Sequence, residues 1–198
     1  NDIDMADTEC QPIEVFCGAF EGNGHAIRGL SFSFQDSGKG FFCTVEQEAT
    51  IRDLTVELQT AAARKEEGTS SSGFLSKLFK NLGGLDKLED SQSLVTLGGL
   101  AGTNHGLLPG CTVEGNIQGE EQVGGLAGLN SRTGRIEACI NNAKLTGTNN
   151  VGGLAGKNEG CIKSCTNNGE VCTESNEDTH CAGGIAGVSP GVIKGCTN

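Results

Sequence analysis

Cysteine is the residue type of this chain with the most obvious chemical potential, since ten cysteines occur among its 198 residues. A cysteine thiolate can act as a nucleophile, bind a soft metal ion or form a disulfide. The spacing does not favour a metal site. The pattern Cys161-x-x-x-Cys165 is loose, no second cysteine pair accompanies it, and His180-Cys181 alone does not complete a ligand set. The sequence therefore predicts no metal and no other cofactor.

Residue patterns typical of catalysis are also missing. There is no His-Glu-x-x-His, no phosphate-binding Walker loop and no Gly-x-Ser-x-Gly. The three histidines occupy unrelated positions, namely His25, His105 and His180. The acidic residues are scattered apart from one cluster, Glu174, Glu177 and Asp178, which lacks the alternating ligand pattern of a calcium loop. We interpret that cluster as a solvated loop and predict that the chain is not itself an enzyme.

The cysteines belong to an internal repeat. The string Leu97-Gly98-Gly99-Leu100-Ala101-Gly102 recurs at residues 123–128, 151–156 and 182–187, so that successive copies begin 26, 28 and 31 residues apart. Each copy is followed by the pattern Gly-x-[Ile/Leu]-x-x-Cys. A weaker form of the repeat covers the first third of the chain, where Leu takes the place of Cys.

The elements that position these residues are short. Each unit contains about three apolar runs separated by Gly and Asn, without the 3.6-residue period of a helix. A unit of this size cannot bury its own apolar face, but stacked units can pair each strand in parallel with its counterpart about 4.8 Å away. The sequence predicts an all-β fold, a three-sided, right-handed parallel β-helix of about six coils. Residues 1–59 would form the N-terminal coils, 60–93 an insertion, and 94–198 four coils, truncated at the C-terminal end.

Stacking places matching side chains in columns along the axis. Two columns should fill the core: Ile27, Ile51, Leu108, Ile136, Ile162 and Ile193 form one, and Leu30, Leu54, Cys111, Cys139, Cys165 and Cys196 form the other. Two polar columns are also predicted: Asn104, Asn130, Asn158 and Ser189, and then Asn141, Asn167 and Asn198. We expect their amides to form hydrogen-bonded ladders, although Asn also simply favours turns.

The cysteine column shares its position with leucine, which indicates small buried hydrophobes rather than disulfides. In-register stacking would also set parallel Cβ vectors and a short Cα separation, which are unfavourable for a disulfide. Two other pairs flank loops and remain candidate disulfides in an oxidising compartment: Cys10 with Cys17, and Cys172 with Cys181. Cys43 and Cys161 have no predicted role.

The insertion offers a candidate partner surface. Five apolar residues fall on one face of a short predicted helix: Phe74, Leu75, Leu78, Phe79 and Leu82. Such a helix could bind a partner or a membrane surface, or it could pack on apolar surface of its own domain. The sequence leaves these alternatives open and favours the last.

Charge and length exclude some functions. The formal net charge of −11 argues against nucleic-acid binding, which needs a basic surface. No run of 18 apolar residues predicts a transmembrane helix. The chain opens without an initiator Met or a leader and stops in mid-repeat, which suggests a piece of a longer protein.

The motif Val-Gly-Gly-Leu-Ala-Gly-x-Asn-x-Gly-x-Ile-x-x-Cys-x-Asn resembles the GLUG repeat of bacterial cell-surface proteins. Residues 1–4 and 20–30 are similar to the block that precedes those repeats, with Glu21 where the family usually has Asp. The resemblance covers most of the chain except about residues 60–93. It implies an exported, modular protein located outside the cell or on its surface, often in gut or mucosal bacteria. The repeat also accompanies IgA-specific metallopeptidases, but their zinc motif is absent here, so no catalytic residue carries over.

Three functional hypotheses follow. The first is a non-catalytic adhesin or stalk whose loops, such as 60–93 and 173–180, bind a host protein or glycan. The second is an accessory β-helix of a peptidase or polysaccharide-degrading enzyme, which would need clustered carboxylates on one face. The third is a self-assembling fibre component, since the end of a solenoid exposes strand edges.

Overall fold

The computed structural model describes residues 1–6, 10–34, 39–63, 95–174 and 181–198, which fold as a parallel β-helix. Within these ranges the secondary structure consists of short strands and turns, with no helix. The strands pair in parallel with their counterparts in the neighbouring coils. The predicted fold class is therefore confirmed.

Four parallel sheets, which we name A to D, run along the stack. Sheet A contains β1 (Ile3–Asp4), β4 (Ala26–Phe34), β7 (Thr55–Ala63), β11 (Thr112–Gln118), β15 (Ile140–Asn141), β16 (Lys144–Gly147), β20 (Thr166–Asn167) and β21 (Val171–Thr173). Sheet B contains β2 (Ile13–Phe16), β5 (Phe42–Val45), β9 (Ala101–Asn104), β13 (Ala127–Asn130), β18 (Ala155–Asn158) and β23 (Ala186–Val188). Sheet C contains β3 (Ala19–Glu21), β6 (Thr50–Arg52), β10 (Leu107–Pro109), β14 (Arg135–Glu137), β19 (Cys161–Lys163) and β24 (Val192–Lys194). Sheet D contains β8 (Leu97–Gly98), β12 (Val123–Gly124), β17 (Val151–Gly152) and β22 (Ala182–Gly183).

Sheets B and C each contain six strands, so the backbone makes about five turns between the first coil and the last. We number the coils 1 to 6 by their strands in sheet B. The register follows the sequence repeat: Val123 pairs with Leu97 and with Val151, and Val151 pairs with Ala182. Spacings of 26, 28 and 31 residues are thus all accommodated without loss of register.

Coils 3 to 5 each contribute strands to four sheets, where three strands per unit were expected. The string Val-Gly-Gly-Leu-Ala-Gly divides into two strands, one in sheet D and one in sheet B, because the chain bends at the central Gly-Leu. Only glycine fits next to this bend, because there is no space for a side chain. A methyl group added to Gly124 would overlap the backbone of Ala127 and of the next coil, and the equivalent position Gly152 meets Ala155 and Gly187 in the same way.

Both predicted core columns are wrong in the first coil. Ile27 pairs with Val56 and Leu30 pairs with Leu58, so both lie in sheet A and not beside Ile51 and Leu54. Phe20 pairs with Ile51 instead. The reason is a longer connection: four residues, 22–25, separate β3 from β4, whereas only residues 53–54 separate β6 from β7.

The other predicted core residues stack in the expected order. In sheet C, Leu108 pairs with Ile136, which is followed by Ile162 and Ile193. The prediction that Ile193 is a core residue is wrong, since its side chain in the last described coil is 40% exposed. Leu107 pairs with Thr50, which places Leu108 next to Ile51. Rings from the first two coils close the N-terminal part of the core, with Phe42 in contact with Phe16, Phe20 and Phe41. The core of the first two coils therefore contains aromatic rings, whereas the core of the later coils contains aliphatic residues and cysteine.

Strand β7 continues to Ala63, four residues into the predicted insertion. The predicted helix with Phe74, Leu75, Leu78, Phe79 and Leu82 lies outside the described residues, as do Glu177 and Asp178.

Candidate functional site

Three members of the cysteine column, Cys111, Cys139 and Cys165, are buried and hydrogen-bonded to the backbone, and Cys196 in the last coil is half-buried. The amide of Cys111 donates to Cys139 Sγ at 3.3 Å, and the amide of Cys139 donates to Cys165 Sγ at 3.4 Å. Each thiol in turn donates to a carbonyl of the preceding coil, for example Cys139 Sγ to Leu108 O at 3.1 Å. Hydrogen bonds with Cys111 and Cys165, together with burial, hold the pKa of Cys139 well above its ordinary value. The same hydrogen bonds with Cys139 lower the pKa of Cys111 and lower that of Cys165 to about 7. Both of these thiols are buried, so it is inaccessibility rather than protonation that keeps them from acting as nucleophiles, and the column has a structural role.

All ten cysteines lie within the described residues, and all are free thiols. Neither of the two candidate disulfides is formed. Cys17 and Cys181 are exposed, Cys10 is half-buried against the core, and Cys172 donates to Glu170 Oε1 at 3.3 Å on the outer face of sheet A. Within the described ranges, no group of three or more His, Cys, Asp or Glu side chains is arranged to hold a metal ion.

The asparagine columns form the predicted ladders. Asn104 Nδ2 donates to Asn130 Oδ1, and Asn130 Nδ2 donates to Asn158 Oδ1, both at 2.8 Å. Asn158 then donates to Ser189 Oγ at 3.0 Å. The second column continues in the same way from Asn141 through Asn167 to Asn198. These buried amides account for the repeated Asn residues without any catalytic role.

Functional groups must therefore be sought among residues that do not repeat. One set of such residues lies at the corner between sheets B and C. We define this corner as the residues between the Asn104 column and the Gly106 column. This corner has one residue in coil 3, His105, and one in coil 5, Glu159. It has three residues in coil 4 (131–133) and three in coil 2 (46–48).

The unequal corners create an open recess of about 380 Å³. Two longer corners form its walls, and the shorter corner with His105 lies between them. At about 4.8 Å per coil, the backbones of the two walls are about 10 Å apart. The side chains of Glu46 and Gln47 line one side, and those of Ser131, Arg132 and Thr133 line the other. Glu159 lines the recess from coil 5.

Hydrogen bonds hold the coil 4 wall in place. The hydroxyl of Thr133 donates to His105 O at 2.8 Å, and the amide of Ser131 donates to Asn104 O at 2.9 Å. A turn bond from Gly134 N to Ser131 O, at 2.9 Å, closes the corner. In coil 2 the amide of Ala49 donates to Glu46 O at 3.0 Å. Both walls are therefore pre-formed, which reduces the ordering entropy that a ligand must overcome.

The charges of the recess are unevenly paired. Lys157 Nζ lies 2.7 Å from a Glu159 carboxylate oxygen, and this hydrogen bond holds the pKa of Glu159 below its ordinary value. Arg132 Nε lies 3.9 Å from the other Glu159 oxygen, beyond hydrogen-bond distance, and its side chain is 90% exposed. Among the described residues, the Glu46 side chain forms no ion pair.

The pKa of Glu159 does not suit acid catalysis of glycoside hydrolysis. The general acid of a glycosidase needs a raised pKa. The pKa of Glu159 is shifted in the opposite direction. The recess is better suited to binding than to acid–base catalysis.

The sequence analysis did not identify the recess. Motif searches look for repeated or catalytic residues, whereas Glu46 and Arg132 are part of no motif. A usable signal was the number of residues between the repeated Asn and the repeated Gly, which is one in most coils and three in coil 4. The longer corner of coil 2 was hidden because Val45 and Ala49 replace the Asn and the Gly there.

Nothing in the described part of the chain is a helix long and apolar enough to cross a membrane. Comparison with protein-family models, with curated proteins and with solved structures finds no match to this chain.

Proposed function

We propose that this chain is a non-catalytic binding module of an exported bacterial protein, secreted or held at the cell surface, that presents recognition groups on a rigid β-helix to a host protein or glycan. The resemblance to GLUG repeats supports the location. The single observation that supports binding is the recess, where two three-residue corners flank the one-residue corner of His105.

Repeated and non-repeated residues lie in different parts of the structure, and this separation agrees with a binding role. Repeated Gly, Ile, Cys and Asn residues are used for packing and for ladders inside the stack. Variable residues face outward, at corners whose length does not disturb the register. Sites of this kind, carried on loops over a rigid scaffold, are typical of binding proteins.

The proposal can be tested by removing one wall of the recess. Deletion of Arg132 and Thr133 converts the coil 4 corner to Asn-Ser-Gly, the same length as Asn158-Glu159-Gly160 of coil 5. Because neighbouring coils fold with this corner, we expect the variant to keep its circular dichroism spectrum and its unfolding midpoint to within a few degrees. We expect it to lose at least about tenfold in affinity, equivalent to about 1.4 kcal/mol, for ligands found by screening arrays of host glycans and host extracellular proteins.

The matched control lengthens a corner elsewhere. Insertion of Ser-Gly after Pro190 gives coil 6 a three-residue corner and leaves the recess unchanged. This control should bind like the original chain. The proposal is wrong if the original chain binds nothing on either array, or if the deletion and the control bind equally well.

A second deletion separates the recess from the insertion. Removal of residues 65–94 leaves four residues, 63, 64, 95 and 96, between Ala62 and Leu97, as many as lie between Gln118 and Val123 in the next coil. The variant should therefore fold. Retention of binding would assign it to the recess, and complete loss would assign it to the segment with Phe74 and Phe79.

Self-association end to end is a second candidate function. Among the described residues, four of the five large apolar side chains with high exposure lie in the first and last coils: Ile3, Val15, Val192 and Ile193. If sheet C continued into a second copy in register, Ile193 would pair with Phe20 and Lys194 with Glu21. An apolar contact and an opposite-charge pair would then join the two copies.

Sedimentation velocity over a range of protein concentrations tests this candidate. Lys194→Glu and Glu21→Lys should each weaken association by like-charge repulsion, and the double exchange should restore it. A chain that stays monomeric at every concentration, or a double exchange without recovery, contradicts end-to-end association.

A further inference from the structure

The recess at the corner between sheets B and C is lined by side chains that end in polar groups but also expose their carbon atoms. Each of its side chains ends in a group that donates or accepts hydrogen bonds: Glu46, Gln47, His105, Ser131, Arg132 and Thr133, with Glu159 beside them. None is aliphatic, and the imidazole of His105 is the one ring among these lining residues. Protein partners are usually held by buried aromatic and apolar anchors in desolvated pockets, which this recess does not offer. Its lining fits a small, strongly polar ligand.

The size of the recess agrees with a short ligand. Its volume of about 380 Å³ lies at the lower end of the range of small-molecule sites, about 300–1,000 Å³. The walls run across the stack, and the backbones that carry them are about 10 Å apart. The recess stays open at the surface, so a chain longer than the part held between the walls can leave it.

The polar groups on the two walls are complementary in kind. Glu46 supplies carboxylate acceptors on one wall, and Arg132 supplies a planar fork of donors on the other. The Arg132 guanidinium is 3.9 Å from its nearest carboxylate, so its donors remain available to a ligand. Gln47 and the hydroxyls of Ser131 and Thr133 add groups that can both donate and accept. Vicinal hydroxyl groups, each both donor and acceptor, match such a surface.

The charge of the whole chain favours a neutral ligand over an anionic one. Lys157 pairs with Glu159, so the charges at the recess itself are balanced, but the chain carries a formal net charge of −11. This field repels anions from the recess and reduces their rate of association. An acidic sugar could pair with Arg132 but would meet the carboxylate of Glu46 on the facing wall.

From these observations, and building on the proposed binding function, we infer that the recess binds a neutral, hydroxyl-rich oligosaccharide through Glu46 on one wall and Arg132 on the other. His105 lies between the two walls and contacts the bound sugar ring. The ligand class is defined by its uncharged hydroxyl groups, and recognition uses direct hydrogen bonds rather than stacking on aromatic rings.

Isothermal titration with three probes tests this inference: N-acetyllactosamine, its sialylated form and an uncharged hydrophilic peptide of similar mass. We expect the neutral disaccharide to bind and the sialylated form to bind at least about fivefold more weakly, as expected from about 1 kcal/mol of repulsion. Glu46→Gln and Arg132→Ala should each weaken binding of the neutral sugar by about tenfold. His105→Ala should weaken it less.

Arg52→Ala is the matched control. Arg52 is an exposed arginine of sheet C whose Nε lies 3.9 Å from Glu21, the same distance as in the Arg132–Glu159 pair, but it is remote from the recess lining. This variant should bind the neutral sugar like the original chain. An equal loss in Arg52→Ala and Arg132→Ala would overturn the assignment to the recess.

Other outcomes separate this inference from the broader proposal. Preference for the sialylated probe overturns the neutral class, and preference for the peptide overturns the saccharide class. If none of the probes binds while the array screen finds a ligand that depends on residues 132–133, the binding function stands and the ligand class is wrong. If the wall deletion has no effect on any ligand, the proposed function itself fails.

Discussion

The two buried asparagine columns run in one direction along the stack. In both, the amide nitrogen of each residue donates to the oxygen of the residue in the next coil, from Asn104 to Asn158 and from Asn141 to Asn198. The first oxygen of each ladder is also satisfied: Asn104 Oδ1 accepts from Gly106 N, and Asn141 Oδ1 accepts from Ala143 N. Loss of Asn130 has the clearest consequence, because Asn104 Nδ2 and Asn158 Oδ1 both lose their hydrogen-bond partner.

Asn130→Ala should lower the free energy of unfolding by about 3 kcal/mol, because it leaves Asn104 Nδ2 and Asn158 Oδ1 buried and unpaired. Asn168→Ala is the matched control, since it removes an amide–amide bond of 3.0 Å to Asn142 on the exposed surface. It should change stability by less than about 0.5 kcal/mol. Urea unfolding of the two variants makes the comparison, and equal losses would show that burial of the ladder is unimportant.

Thiol reactivity tests the role of the cysteine column. In the folded protein the exposed Cys17 and Cys181 should be alkylated within minutes at mildly alkaline pH. Cys111 and Cys139 should react only at the rate of unfolding, because they are inaccessible and because the raised pKa of Cys139 keeps it protonated. Mass spectrometry after a timed iodoacetamide reaction measures the difference, with denatured protein as the control in which all ten react. Blocked thiols in the denatured protein would instead indicate disulfides.

At the scale of the elements, the repeated Gly-Gly pair and the Asn141 column depend on each other. A side chain on Gly125 would overlap the amide of Asn141 across the coil, and Gly153 and Gly184 face Asn167 and Asn198 in the same way. Sheet D therefore approaches sheet A closely enough that only a hydrogen atom fits between the backbone and the ladder. This contact explains why the second glycine and the asparagine repeat together.

Gly125→Ala separates this packing effect from backbone strain. We expect it to lower the free energy of unfolding by about 3 kcal/mol, since neither the ladder nor the carbonyl of Gly153 can move aside. Gly24→Ala, at φ +74° with open space around the added methyl group, should lower it by only about 1 kcal/mol. Thermal or urea unfolding measures both. A larger loss for Gly24→Ala would mean that conformation rather than space selects these glycines.

The sequence predicted the parallel β-helix, its register and its ladders because stacking places each repeated side chain next to the equivalent side chain of the adjacent coil. Ile27 and Leu30 were misplaced because apolar spacing alone does not reveal the length of the connection 22–25. The recess was missed for a related reason. Its residues come from four coils and share no motif, so only the stacked backbone brings Glu46, His105 and Arg132 together.

At the scale of the whole molecule, stability comes from contacts between adjacent coils. Deletion of residues 123–150 removes one complete coil and brings Leu97 against Val151, Asn104 against Asn158 and Cys111 against Cys165. Each new pair has the chemistry of the pair that it replaces. We therefore expect this variant to fold cooperatively, with a urea m-value lower by roughly one sixth.

Deletion of residues 123–136 is the informative control, because it removes half as many residues but joins Gln122 to Glu137 out of register. Apolar and outward-facing residues would then exchange positions, so we expect this smaller deletion to prevent folding. Far-ultraviolet circular dichroism and urea titration distinguish the two variants. Failure of the in-register deletion alone would contradict the additive description of the stack.

The corner between the Asn104 and Gly106 columns alternates between one and three residues while the columns on both sides of it stay aligned. Two extra residues at the corner of a coil are thus enough to form a new wall, and removal of two residues is enough to remove an existing wall. A gene that gains or loses six nucleotides at such a point can move a recess up or down the molecule while the interior stays the same, so the outer surface of this scaffold can change without a change in its architecture.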